Sequence, residues 1–143
     1  MKKTLLITAI AVSFSYAEIA KEMIVYKTPY CGCCTNWIAQ MKDKGFNIKT
    51  IVQDNFDKMK MSKGITQQTA SCHTALINGY VIEGHVDYSA IKKLLTDKPK
   101  DILGLSVPGM VIGSPGMEMD DKKMPYNIIA IRKDGSTQVY EKH

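Results

Sequence analysis

Three of the chain's four cysteines stand in one short run, Cys31-Gly32-Cys33-Cys34, and the fourth, Cys72, stands alone. A disulfide-stapled scaffold spreads its cysteines along the chain, so this clustering points to chemistry. Cys31 and Cys34 keep the C-x-x-C spacing of thiol–disulfide exchange, and Cys33 turns the run into C-x-C-C. At the start of a helix, free backbone amides and the helix dipole stabilise a thiolate, which is both the nucleophile of exchange and a ligand for soft metals. Neighbouring Cα atoms lie about 3.8 Å apart, below the roughly 4.4 Å lower limit of ordinary disulfides, which disfavours Cys33 with Cys34. Of the three ways to pair four cysteines, two remain. Plain exchange has no use for Cys33 or Cys72. A cluster of soft metal ions does, because each bridging sulfur can serve two metals.

Four methionines, Met110, Met117, Met119 and Met124, fall within a stretch broken by prolines and glycines. Thioethers favour copper(I), and so irregular a segment has little core of its own for methionines to fill. Met59 and Met61 are read as packing residues. His85 belongs with the candidate ligands, because a hairpin that leaves the cysteine end of a sheet returns to it there. His73 directly follows Cys72 at the start of a strand, so alternation predicts that its side chain faces away from the thiol. Trp37, four residues after Cys33, is expected in the core beneath the site. Glu118, Asp120 and Asp121 read as a solvated acidic bend.

These residues need elements to position them. Met23 to Tyr26 reads as a strand that runs through Thr28-Pro29-Tyr30 into the cysteine run. From Cys34 a helix is predicted by Trp37, Ile38 and Met41, with Gly45 at its end. Asn47 to Val52 is a second strand, and Phe56 to Lys63 a second helix stopping at Gly64. Thr74 to Ile77 and Tyr80 to Ile82 flank Asn78-Gly79, the dipeptide that suits a two-residue hairpin turn. Tyr88 to Leu95 is a third helix with Pro99 beyond it. This order describes an α/β fold, a thioredoxin-like mixed sheet flanked by helices, with the cysteines where the first strand meets the first helix. Residues 104–126 are expected to be mostly irregular. Asn127 to Arg132 and Thr137 to Glu141 then form a closing hairpin, so the Gly/Pro/Met-rich extension is fastened at both ends.

The 143 residues, 45% hydrophobic and 23% charged, suit one globular domain and exclude a multidomain machine. Lys2 and Lys3, the apolar run Leu5 to Phe14 and Ser15-Tyr16-Ala17 form the pattern of a cleaved secretory signal. The run is about half of the roughly 20 residues that a membrane-spanning helix needs, and no cysteine follows the cleavage point to carry a lipid. Losing the two lysines with the leader lowers the net charge from +5 to +3. Scattered pairs such as Lys92-Lys93 and Lys122-Lys123 then read as a solvated face, which argues against a nucleic-acid partner.

Cys31-Gly32-Cys33-Cys34 with Trp37 and Gly45-Phe46, Ser71-Cys72-His73-Thr74-Ala75, Gly79 to Val86, and Gly113-Ser114-Pro115-Gly116-Met117-Glu118 together resemble the CopG family of periplasmic copper-resistance proteins. The likeness spans nearly the whole chain after the leader. It implies a thioredoxin-like fold with a C-terminal extension, a multinuclear copper cluster bridged by Cys31, Cys33, Cys34 and Cys72, and Met117 closing over the metal. It also implies interconversion of copper(I) and copper(II) beside an efflux system. The chain departs from the family pattern at Gln40, where many members carry histidine, and at Val111 and Asp87, where they carry proline. Ser71-Cys72 stands where a thioredoxin would carry its cis-proline, which favours metal binding over peptide disulfide exchange.

The expectations are therefore a signal peptide over 1–17, a thioredoxin-like domain over 18–103 and an extension over 104–143 that contributes to the metal site. The predicted metal ligands are Cys31, Cys33, Cys34, Cys72, Met117, His85, Met110 and Met119, with Cys31 and Cys34 as the redox-active pair. The protein is expected in the periplasm as a monomer without a membrane anchor, with copper ions and a copper efflux system or copper chaperone as partners. The runner-up is a periplasmic thiol–disulfide oxidoreductase. A copper chaperone or store is a third reading, and structural zinc would leave the methionines idle.

Overall fold

The computed structural model describes residues 22–143. The predicted leader, Met1 to Ala17, lies outside them. Strand β1 (Glu22–Lys27) leads into helix α1 (Gly32–Asp43), which returns as β2 (Asn47–Val52), parallel to β1. Cys31 caps α1, its sulfur accepting from the Cys34 amide at 3.3 Å, so the cysteine run does open a helix. The helix buries Cys34, Trp37, Ile38 and Met41, the face predicted by their three- and four-residue spacing.

Short helix α2 (Asp57–Ser62) precedes the hairpin of β3 (His73–Ile77) and β4 (Tyr80–Glu83). Asn78 and Gly79 turn it with φ of 49° and 81°, the two positive values that a type I′ turn demands. Asp87 caps α3 (Tyr88–Asp97) through Ala90 N, and the helix buries Ala90, Ile91, Leu94 and Leu95. Full burial of each leucine is worth at most about 1.5–3 kcal/mol. Strand β5 (Ile102–Ser106) then lies parallel to β4, and β6 (Asn127–Arg132) and β7 (Thr137–Lys142) close the chain as the predicted antiparallel hairpin.

All seven strands form one mixed sheet in the order β2-β1-β3-β4-β5-β6-β7. Ile128 and Ala130 of β6 join Val25, Trp37, Ile82, Leu94 and Leu105 in the main core, so the extension packs as part of the same layer. One local expectation needs correction. Gly104 to Ser106, the first residues of the stretch expected to be irregular, belong to β5. Gly104 is there for contact rather than for a turn, since a Cβ on it would meet the Val81 carbonyl oxygen at 1.9 Å. No described peptide bond is cis, and Ser71 instead forms an isolated bridge with Gly109. No helix among the described residues is long and apolar enough to cross a membrane.

Candidate metal centre

The four cysteine sulfurs lie within 4.8 Å of one another. Cys31 and Cys34 are joined as a disulfide with Cα atoms 5.3 Å apart, half of one pairing left open by the sequence, while Cys33 and Cys72 remain free thiols. Cys33 Sγ is 3.5 Å from Cys31 Sγ. The helix α1 terminus supplies three of the sulfurs. The fourth comes from the bend before β3, across the sheet.

Histidines extend this group. Cys72, His73 and His85 form a second set of donors within 4.8 Å of each other. His85 Nε2 is 3.0 Å from Cys72 Sγ, as the hairpin argument predicted, and its Nδ1 is 2.7 Å from the Pro115 carbonyl oxygen. A proton on Nδ1, donated to that carbonyl, leaves the Nε2 lone pair facing the thiol, the arrangement by which a second partner fixes the tautomer of a ligating histidine. His73 corrects the alternation argument, for its Nδ1 is 3.4 Å from Cys72 Sγ. Cys72 occupies a bend outside β3, so the two-residue period of a strand does not reach it. The His73 ring is wedged between Trp37 and His85, with centroids 4.5 and 5.0 Å away, and its buried Nε2 has no hydrogen-bond partner among the described residues. Trp37 is fully buried beneath the site as predicted and donates from Nε1 to the Val86 carbonyl at 2.8 Å.

The extension closes over the helix end. At Gly116, φ is +84°, and a Cβ there would lie 2.8 Å from Trp37 N and 2.9 Å from the Cys33 carbonyl oxygen, so only glycine lets Pro115-Gly116-Met117 approach this closely. Glu118 fastens the segment by accepting from Gln40 Nε2 at 2.9 Å and from Gly116 N at 3.0 Å. Gln40 thus serves as a latch in this chain. Met117 is half-buried in the turn, whereas Met110 and Met119 are 62% and 52% exposed. Met61, expected to pack, is instead exposed on the outer side of its short helix, while Met59 is half-buried.

Lys60 and Glu83 are site-supporting residues that the sequence reading missed. Glu83 is fully buried and accepts from Lys60, from the Ser71 amide at 2.7 Å and from Thr74 Oγ1 at 2.5 Å. Lys60 also donates to the Ser71 carbonyl at 2.7 Å, so the pair grips the backbone next to Cys72 from behind. A glutamate ending the apolar run Val81-Ile82 was the available signal for Glu83; Lys60, one of two lysines on its helix, carried none.

Burial and the neighbouring Cys33 push the Cys72 thiol up to about 12, so without metal it is a neutral thiol. Burial pushes His73 well below the usual imidazole range, helped by His85 and Lys60, and lowers His85 against the opposing pull of the Pro115 carbonyl. Burial raises the Glu83 carboxyl, with Lys60 opposing. The site therefore offers neutral imidazoles and a protonated thiol that a metal must deprotonate.

The fold and this site define a thioredoxin-like protein whose helix-end cysteines are gathered with a fourth cysteine and histidines into a soft donor cluster. Residues 69–117 match the model of a family described as a protein of unknown function, DUF411. Two solved structures, described as Form 2 and Form 1 of copper resistance protein CopG, are each 34% identical to the chain. They superpose with TM-scores of 0.81 and 0.80, covering 85% of this chain and 97% and 96% of their own lengths. Among curated proteins none matches significantly. The chain belongs to the CopG family.

Proposed function

We propose that the protein is a periplasmic copper-binding protein of copper resistance, delivered by cleavage after Ala17. In it, Cys31, Cys33, Cys34 and Cys72 bridge a multinuclear copper(I) cluster that cycles with copper(II). The observation that carries this reading is the convergence of all four sulfurs within 4.8 Å in a member of a family named for copper resistance. His85 serves as an imidazole ligand through Nε2, and Met117 closes the site from the extension. Residues 104–143 thus complete a site founded in 18–103. Met110 and Met119 act as outer thioether donors on the surface, where copper enters or leaves toward a chaperone or an efflux system.

Copper(I) needs Cys31 and Cys34 as thiolates, so loading follows reduction of their disulfide, in which two electrons from an external dithiol, itself oxidised to a disulfide, break the S–S bond and leave two thiolates. That disulfide also supports the second reading, a thiol–disulfide oxidoreductase acting on protein cysteines. Anaerobic titration of the reduced monomer with copper(I) separates the two. More than one copper per chain, with no thiol left reactive and electrons exchanged per copper on oxidation, is expected. A limit of one copper, tight zinc that copper(I) does not displace, or brisk metal-free reduction of insulin disulfides overturns the copper-cluster reading. Full loading without electron exchange would leave a chaperone or store.

A further inference from the structure

Asp87, Glu141 and His143 meet where the start of α3 lies beside the end of β7, and none of them has a part in the copper proposal. Their donor atoms lie within 4.8 Å of one another. His143 Nε2 is 3.2 Å from Asp87 Oδ2 and 3.2 Å from Glu141 Oε1. We propose that these three residues form a second metal site, built of one imidazole nitrogen and two carboxylate oxygens, that binds a divalent cation of the zinc(II) or copper(II) type.

Three observations carry the assignment. First, the spacing suits a shared ion. Metal–ligand bonds of about 2.0–2.2 Å at right to tetrahedral angles put neighbouring donor atoms about 2.8–3.6 Å apart. Second, Asp87 Oδ2 is buried and has no hydrogen-bond partner among the described residues, although His143 faces it. The contact is close but not aligned as an N–H donation, and a buried carboxylate oxygen left so is costly unless something else coordinates it. Third, the donors are fixed in advance. Asp87 Oδ1 is engaged as the cap of α3 by Ala90 N at 2.9 Å and by Ser89 Oγ, which holds Oδ2 toward the site. The His143 ring is stacked on Tyr126, with centroids 4.8 Å apart and planes 7° from parallel. The backbones of these two residues exchange hydrogen bonds of 3.1 and 2.9 Å.

The donor set decides the cation. Imidazole with carboxylates suits zinc(II) and copper(II), while copper(I) prefers the sulfurs of the other site. The inference does not rest on the copper-cluster reading.

The test is a zinc(II) titration of the reduced protein, followed by equilibrium dialysis and by the imidazole nitrogen resonances. Zinc at the cysteine site moves His85, whereas zinc at the second site moves His143, so failure at one is distinguishable from failure at the other. The expected result is a shift of His143 Nε2 on binding to the wild type, with the affinity read by dialysis weakened about tenfold or more in Asp87→Asn and in His143→Gln. The His85 response and the melting temperature should be unchanged in Asp87→Asn, because asparagine caps a helix as well as aspartate does. If His143 does not respond to zinc, or if the variants keep the same affinity, the three residues are held together by their mutual polar contacts alone and the site is refuted.

Discussion

His85 and Cys72 face each other across 3.0 Å, nitrogen to sulfur, although thirteen residues and a hairpin turn separate them in the chain. The contact closes one side of the donor cluster, and the Pro115 carbonyl on the other ring nitrogen sets which nitrogen is left for it. A bond of this kind is lost when the thiol is removed, and the other three sulfurs alone sit on one helix end.

Cys72→Ser should therefore abolish the multinuclear copper site while leaving a titratable dithiol at Cys31 and Cys34. Copper stoichiometry and thiol counting check this together. Wild-type copper content in the variant would make Cys72 structural.

Met117→Leu keeps volume and apolar character, so apo stability should change by less than about 1.5 kcal/mol. Removing the thioether should still alter the copper spectrum and potential and make the loaded site more sensitive to air. Met59→Leu is the control and should be silent. A drop in apo melting with an unchanged spectrum would move Met117 to the core.

Lys60→Met strips the buried Glu83 carboxylate of its counter-ion, and breaking such a pair from one side typically destabilises by about 3–5 kcal/mol. Urea unfolding should show this, and the double change Lys60→Met with Glu83→Leu should recover part of the loss. If the single variant is as stable as wild type, the pair contributes nothing to holding the Ser71-Cys72 backbone.

Acid should weaken the metal-free fold through His73 and His85. Both are lowered in the folded state, so below about pH 6.5 the unfolded chain takes up more protons. Their contribution is complete above that pH and falls by up to about 1.4 kcal/mol per pH unit for each histidine as the pH drops. Glu83, raised in the folded state, acts in the opposite sense at lower pH, favouring the fold as it protonates. Urea midpoints between pH 8 and 5 read the balance. A flat profile, or no change of slope in His73→Leu, would contradict the histidine assignment.

Much of this architecture was legible because each element carried a local cause. The periodicity of Trp37, Ile38 and Met41, the Asn78-Gly79 turn and the apolar strands are short-range signals, and the sheet follows from their order. Gly104 was misread because a glycine that admits a neighbouring strand looks, in sequence, like one that breaks a strand. His73 was misjudged for a related reason. Alternation presumes a strand, and nothing in Ser71-Cys72-His73 announces the bend. Lys60 and Glu83 pair across 23 residues, a relation visible only once β3, β4 and α2 have been placed.

The closure at Gly116 also bears on timing. Its contact with Cys33 joins residues 83 positions apart, so the helix end remains open until the polypeptide has been made beyond Gly116. A partly synthesised chain displays its thiols bare, able to meet oxidants, stray ions or one another. Docking of the Gly116 segment covers the helix end. Covering of the helix end is thus a property of the nearly completed fold, and damage by premature oxidation should concentrate in the interval between synthesis of the first helix and docking of Pro115-Gly116-Met117.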